Sequence, residues 1–167
     1  LDLPDGTPAR LKLWAPRRSR YRWKTLWSGC KLQREAIQTR RFRDAGLPVP
    51  DLVMWGQRKL PSRFLGFYLA GFLVTRMIHG ARNLAELLQR GETPWKKGKK
   101  DLGEKVLDEL AALLVRVHRK GLVHGDFMLK NCMYRRGRPG EKYMLVDLES
   151  GWPLPTGDPE GQTGRER

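Results

Sequence analysis

The stretch LVHGDFMLKNCMY, residues 122 to 134, limits the possible folds of this chain more than any other. Two apolar residues lead into His124-Gly125-Asp126, Asn131 follows five places after the aspartate, and a second apolar run begins at Cys132. A basic turn rich in Gly and Pro, Arg135 to Gly140, separates that run from Tyr143 to Val146, which ends at Asp147. Short apolar runs on either side of such a turn read as a β-hairpin, which would fold Asp147 back toward Asn131. Gly and Asp alone would mark an ordinary turn. A carboxylate left unpaired between apolar runs costs on the order of several kcal/mol or takes up a proton, so Asp126 is expected to have a polar task. His124 is expected to pack beneath the loop.

Other segments supply the frame. Leu11 to Trp14 alternates apolar with basic or aromatic residues and reads as a strand ended by Pro16. Leu32, Ala36, Ile37, Phe42 and Ala45 recur at helical spacing; Gly46 closes that helix, and Pro48 and Pro50 forbid its continuation. Leu52 to Trp55 reads as extended, and Phe64 to Ile78 as two strands meeting near Ala70-Gly71. Asn83-x-x-Glu86 and Asp101-x-x-Glu104 have the form of N-terminal capping boxes. The second opens a helix whose stripe is Val106, Leu107, Leu110, Leu113, Leu114 and Val117, closed by Gly121. The tail from Gly151 has no periodicity and is expected to be loose. The order predicts an α+β protein with a small antiparallel sheet in its first half and helices in its second.

Composition narrows the partners. Thirty-three Lys and Arg against 18 Asp and Glu give a net charge of +15, which favours an anionic partner. Ten of the basic residues fall between Arg17 and Arg43 with a single acid, Glu35, and Trp14, Trp23 and Trp27 lie in or beside that stretch. Each Lys or Arg near an anionic bilayer contributes about 1 kcal/mol, so a handful facing one way would hold the protein on a membrane surface. The longest apolar run, Phe64 to Val74, is about half of what a spanning helix needs, so no transmembrane segment is expected. Nucleic acid is not an expected partner, because neither an aromatic platform nor a basic recognition motif is evident. Cys30 and Cys132 have no ligand spacing around them, so neither a zinc site nor a disulfide framework is indicated. The chain begins at Leu1 rather than Met, which reads as a processed or cropped piece of something longer.

Phosphoryl transfer requires a carboxylate to orient the acceptor hydroxyl and oxygen ligands to hold magnesium on the nucleotide phosphates. Asp126, Asn131 and Asp147 supply that set of side chains. HGDFMLKN followed by LVDLES resembles the protein kinase-like fold, in which H-R-D-x-x-x-x-N precedes a metal-binding Asp. Gly125 in place of Arg, and Leu148-Glu149 in place of Phe-Gly, are similar to small-molecule and sugar kinases of that fold. Upstream, REAIQTRRFRDAGLPVPDLVMWG and FLVTRMIHGARNLAELL resemble the lipopolysaccharide kinase family, bacterial enzymes that phosphorylate Kdo or heptose of the lipid A inner core. The resemblance covers about residues 10 to 150.

The resemblance implies a two-lobed, truncated or minimal kinase, with an N-lobe over residues 1–78 and a C-lobe over residues 79–167. It implies ATP and Mg²⁺ as cofactors, Asp126 as catalytic base, and Asn131 and Asp147 on the metal. Glu35 would pair with a strand lysine that holds the nucleotide phosphates; Lys12 is the first candidate, with Lys24 and Lys31 as rivals. Met77, Ile78, His79 and Gly80 would form the hinge against adenine. The expected substrate is a lipid A-core glycolipid, and the expected location is cytoplasmic, peripheral on the inner-membrane face. The alternatives are a kinase of the same fold for another small molecule, such as an aminoglycoside or choline, or a basic pseudokinase or binding module. Cationic substrates usually meet acidic clefts, which counts against the first. No G-x-G-x-x-G precedes Lys12; only Gly6 is there, and the phosphate-covering loop is expected in sequence before residue 1.

Overall fold

A computed structural model describes residues 1–15, 30–59, 68–90, 101–135 and 142–154. Strand β1 is Ala9–Trp14 and helix α1 is Lys31–Asp44. Then come β2, Leu52–Lys59, and β3, Tyr68–Arg76, which pairs antiparallel with both β1 and β2 to give the order β1-β3-β2. Strand β4, Ala81–Asn83, runs into a short helix α2, Leu84–Gln89. Helix α3, Asp101–Arg119, leads to β5, Leu122–Val123, and a single 3₁₀ turn over Leu129–Asn131 opens the hairpin of β6, Cys132–Arg135, and β7, Tyr143–Leu145. A second 3₁₀ turn, Leu148–Ser150, precedes β8, Trp152–Pro153. No helix among the described residues is long and apolar enough to cross a membrane.

Helix α1 links two packed clusters. Its first turns place Leu32 and Ala36 with Cys30 against Leu73 of the three-stranded sheet, while Phe42, two turns further on, enters a larger cluster with Leu84, Leu110, Val117 and Leu145. Glu35 and Thr39, one residue away from that apolar line and four apart, share the buried side of the helix. Ile37 points the other way and is 40% exposed, so it does not belong to the apolar stripe. Ala45 is the C-cap and Gly46 takes the left-handed position after it, at φ 72°. The Gly-Leu-Pro-Val-Pro turn then buries Leu47 and Val49, and the carbonyl of Pro48 accepts a 2.8 Å bond from the backbone N–H of Leu145.

Three further expectations need correction. Tyr68–Arg76 is one continuous strand through Ala70-Gly71, not two strands meeting there. Gly71 serves close approach instead, because a Cβ at that position would lie 2.8 Å from Cys30 Sγ at the start of α1. On α3, Val106, Leu110, Leu113 and Val117 are buried as the spacing predicts, but Leu107 is 63% exposed, leaving a narrower stripe. The chain after Gly151 is not loose at its start, since Trp152 and Pro153 pair with Val123 and Leu122. Asn83 caps α2 through its side-chain oxygen, which accepts from the N–H groups of Ala85 and Glu86. The expected box at Asp101 involves side chains outside the described residues, as do residues 16–29, with Lys24, Trp23 and Trp27, and residues 155–167.

Candidate active site

Lys12 sits in the middle of β1 opposite Leu73. Its Nζ donates to Glu35 Oε2 at 2.6 Å and to Asp147 Oδ1 at 2.7 Å, so a strand, a helix and the loop after β7 meet at one ammonium. Of the three candidate lysines, Lys12 is the one brought to Glu35. Lys31 pairs with Glu149 at 2.7 Å, and Lys24 lies outside the described residues.

Burial and charge compete at this junction. Burial alone would lower the Lys12 pKa, but its bonds to Asp147 and Glu35 outweigh that and hold it above its ordinary value. Burial raises Asp147, yet the bond from Lys12 and the charges of Lys12, Lys31 and Lys130 bring it below the usual carboxylate value. Glu35 leans the other way. Burial raises it, and the neighbouring charges of Asp147 and Glu149 add to the rise, against the pull of Lys12. The direct 2.6 Å contact to an ammonium held charged by two carboxylates decides for the ionised pair at neutral pH.

The hairpin positions the other residues. Asn131 ends the 3₁₀ turn and is 4% exposed; its Nδ2 donates to Asp126 Oδ2 at 3.0 Å and to the Asp126 carbonyl at 2.9 Å. Its own carbonyl accepts from Val146 N–H at 3.0 Å, which closes the ribbon beside Asp147. Asp147 lies in the left-handed region, φ 63° and ψ 53°, where it is the one non-glycine with positive φ among the described residues. Strain of this kind is held only where the surroundings enforce it, and buried Leu148 anchors the next position. His124, 1% exposed, lies edge-on to Phe42 and Phe127 beneath the loop.

A cleft of about 380 Å³ is lined by Lys12, Glu35, Met77, Ile78, Asn131 and Asp147, among others. Asp126 is joined to it through Asn131. Of the expected hinge, His79 and Gly80 do not reach the cleft. Gly80 turns the chain at φ 68°, and His79 lines a separate hollow with Arg43 and Arg116. Sequence reasoning did not single out Arg10, Thr75 and Lys130, which also line the cleft, and it read Asn83 as a helix cap only, although Asn83 lines the cleft too and its Nδ2 donates to the Lys130 carbonyl at 2.6 Å. The period-two step from Lys12 could have found Arg10, and the step back from Asn131 could have found Lys130. Cys30 and Cys132 are buried free thiols, and burial pushes Cys132 up to about 11.

Asp147 and Asn131 present hard oxygen donors to one cleft, and carboxylate oxygens of Glu35, Asp147 and Glu149 lie within 4.8 Å of one another. This donor set fits a magnesium ion.

An α+β chain with a strand lysine bonded to a helix glutamate and to the aspartate after a hairpin has the kinase-like fold. The chain belongs to the lipopolysaccharide kinase (Kdo/WaaP) family, which it matches over residues 15–154. It is 26% identical over 113 residues to the serine/threonine-protein kinase RIO1 of Chaetomium thermophilum, covering 67% of this chain and 19% of that one. A structure of WaaP in complex with acyl carrier protein is similar in fold, with a TM-score of 0.57 and 18% identity over 90% of this chain and 57% of that one. The chain therefore spans less than two thirds of either relative.

Proposed function

We propose that the chain is an ATP-dependent kinase that phosphorylates a sugar hydroxyl, of Kdo or heptose, in the lipopolysaccharide inner core. The observation that carries this reading is Lys12 joined to both Glu35 and Asp147 in a cleft shared with Asn131. Residues 1–78 act as the N-lobe and 79–167 as the C-lobe, with the cleft between them. Lys12, kept in place by Glu35, binds the nucleotide phosphates, and Met77 and Ile78 bound the adenine end. Asn131 and Asp147 hold Mg²⁺, which when bound neutralises phosphate charge.

Asp126 orients the sugar hydroxyl and takes its proton as the oxygen attacks the terminal phosphorus. One P–O bond forms to the sugar while the P–O bond to the ADP leaving group breaks. Asn131 fixes the Asp126 carboxylate by its 3.0 Å bond, so the base is aligned before substrate arrives. The protein acts at the cytoplasmic face of the inner membrane as a peripheral protein, which the net charge of +15 and the exposed Arg40 and Arg41 on α1 support.

The test is transfer of labelled γ-phosphate from ATP to purified inner-core glycolipid, with the acceptor position mapped. Transfer is expected with the wild-type chain and a loss of at least about a hundredfold with Asp126→Asn. No incorporation by the wild type, or full activity in the variant, defeats the assignment.

A further inference from the structure

The cations of the cleft differ in what already neutralises them. Lys12 shares its charge with two carboxylates, and Lys31, which is not part of the cleft lining but adds its field to Asp147, is bonded to Glu149. Arg76 lines the cleft too, but its guanidinium is committed to Asp5 and Thr7. Lys130 lines the same cleft with an exposed side chain, and no carboxylate of the described residues bonds its ammonium. It is near enough to Asp147 for its charge to help hold that carboxylate ionised.

Its backbone, by contrast, is fixed. Lys130 is the middle residue of the 3₁₀ turn between Asp126 and Asn131, and its carbonyl accepts the 2.6 Å bond from Asn83 at the N-cap of α2. A charge on a flexible stem thus rises from a rigid base, between the residue that orients the acceptor and the residue beside the metal site. Arg10 also lines the cleft with no acid of the described residues bonded to it, but it lies on β1, its backbone paired with Thr75 in the sheet, rather than on the loop that carries Asp126 and Asn131.

We propose that Lys130 is a catalytic residue that binds the terminal phosphate of the nucleotide, so that the cleft distinguishes ATP from ADP by the charge of that one group. The inference rests on the kinase reading above. A lysine is suited to this because its ammonium is a compact point charge that can follow a phosphoryl group as it moves from donor to acceptor.

Equilibrium binding of ATP and of ADP, each with Mg²⁺, to the wild type, Lys130→Met and Lys130→Arg tests it without recourse to turnover. The wild type is expected to prefer ATP. Lys130→Met should cut the ATP-to-ADP affinity ratio about tenfold or more, the worth of one charge-assisted contact, with ADP affinity within about twofold of wild type. Lys130→Arg should restore most of the ratio. An unchanged ratio in Lys130→Met, or equal weakening of both nucleotides, overturns the proposal while leaving the kinase reading intact. So does a variant that keeps the ratio and changes only the KM for glycolipid. A wild type that binds neither nucleotide removes both.

Discussion

Lys12 Nζ lies 2.7 Å from Asp147 Oδ1 although 135 residues separate them in sequence, and the same nitrogen is 2.6 Å from Glu35. One ammonium therefore registers the sheet against the hairpin loop. Lys12→Met leaves Glu35 and Asp147 without the cation they share, close to a third carboxylate, Glu149, that Lys31 engages. Phosphate transfer is expected to fall at least about a hundredfold in kcat/KM. Lys12→Arg should recover little, because a planar fork does not replace a point charge held between two carboxylates. Steady-state kinetics with ATP varied measures both.

Gly125 and Gly80 share a backbone conformation, φ 77° and 68°, but not an environment. A Cβ at Gly80 meets nothing within 4 Å, whereas at Gly125 it would lie 1.9 Å from the Ser150 carbonyl oxygen and 2.8 Å from the Trp152 ring. Gly80→Ala should cost only left-handed strain, about 1 kcal/mol. Gly125→Ala adds a backbone collision and should cost about 3 kcal/mol or more. Urea denaturation of the two variants separates the terms, and equal losses would show that Ser150 does not press on Gly125.

Asn83 does two jobs that substitution can divide. Asn83→Asp keeps an oxygen to cap α2 but loses the amide that donates to the Lys130 carbonyl. Helix stability should stay within about 0.5 kcal/mol of wild type while kcat drops several-fold. Asn83→Ala should lose the cap as well, costing about 1 kcal/mol. Thermal melts alongside kcat resolve the difference.

Burial depresses the pKa of His124 below its ordinary 6.5, against the opposing pull of backbone carbonyls at His124 and Val146 and the charges of Asp126 and Asp147. The unfolded chain therefore binds a proton more readily than the native one. Stability is full above about pH 6.5 and declines as pH falls below it toward the native pKa. Chemical denaturation from pH 8 to pH 5 should show this decline, and His124→Gln should flatten it. An identical slope in the variant would assign the effect to other groups.

The hairpin was readable because its turn chemistry, its short apolar runs and its flanking polar residues all agree, and these are local properties. Asn83 as a cap and Gly46 after α1 were readable for the same reason. Gly71 misled because glycine marks both turns and close contacts; only the position of Cys30, 41 residues away, decides between them. The spacing on α1 and α3 located both helices but not the width of their buried faces, as Ile37 and Leu107 show. Choosing Lys12 over Lys31 required knowing that Glu149 engages the latter. Of Met77 to Gly80, Met77 and Ile78 line the cleft and the left-handed turn at Gly80 carries the chain away after them, a bend that the residue spacing does not reveal.

The bond from Val146 to Asn131 sets the spacing of the two side chains at the near end of the β6–β7 ribbon, as the fixed jaws of a caliper do. A second bond, from the backbone N–H of Arg135 to the carbonyl of Lys142, grips the other end of the described ribbon, so the two strands are clamped at both ends and the gauge does not depend on any contact made by a substrate.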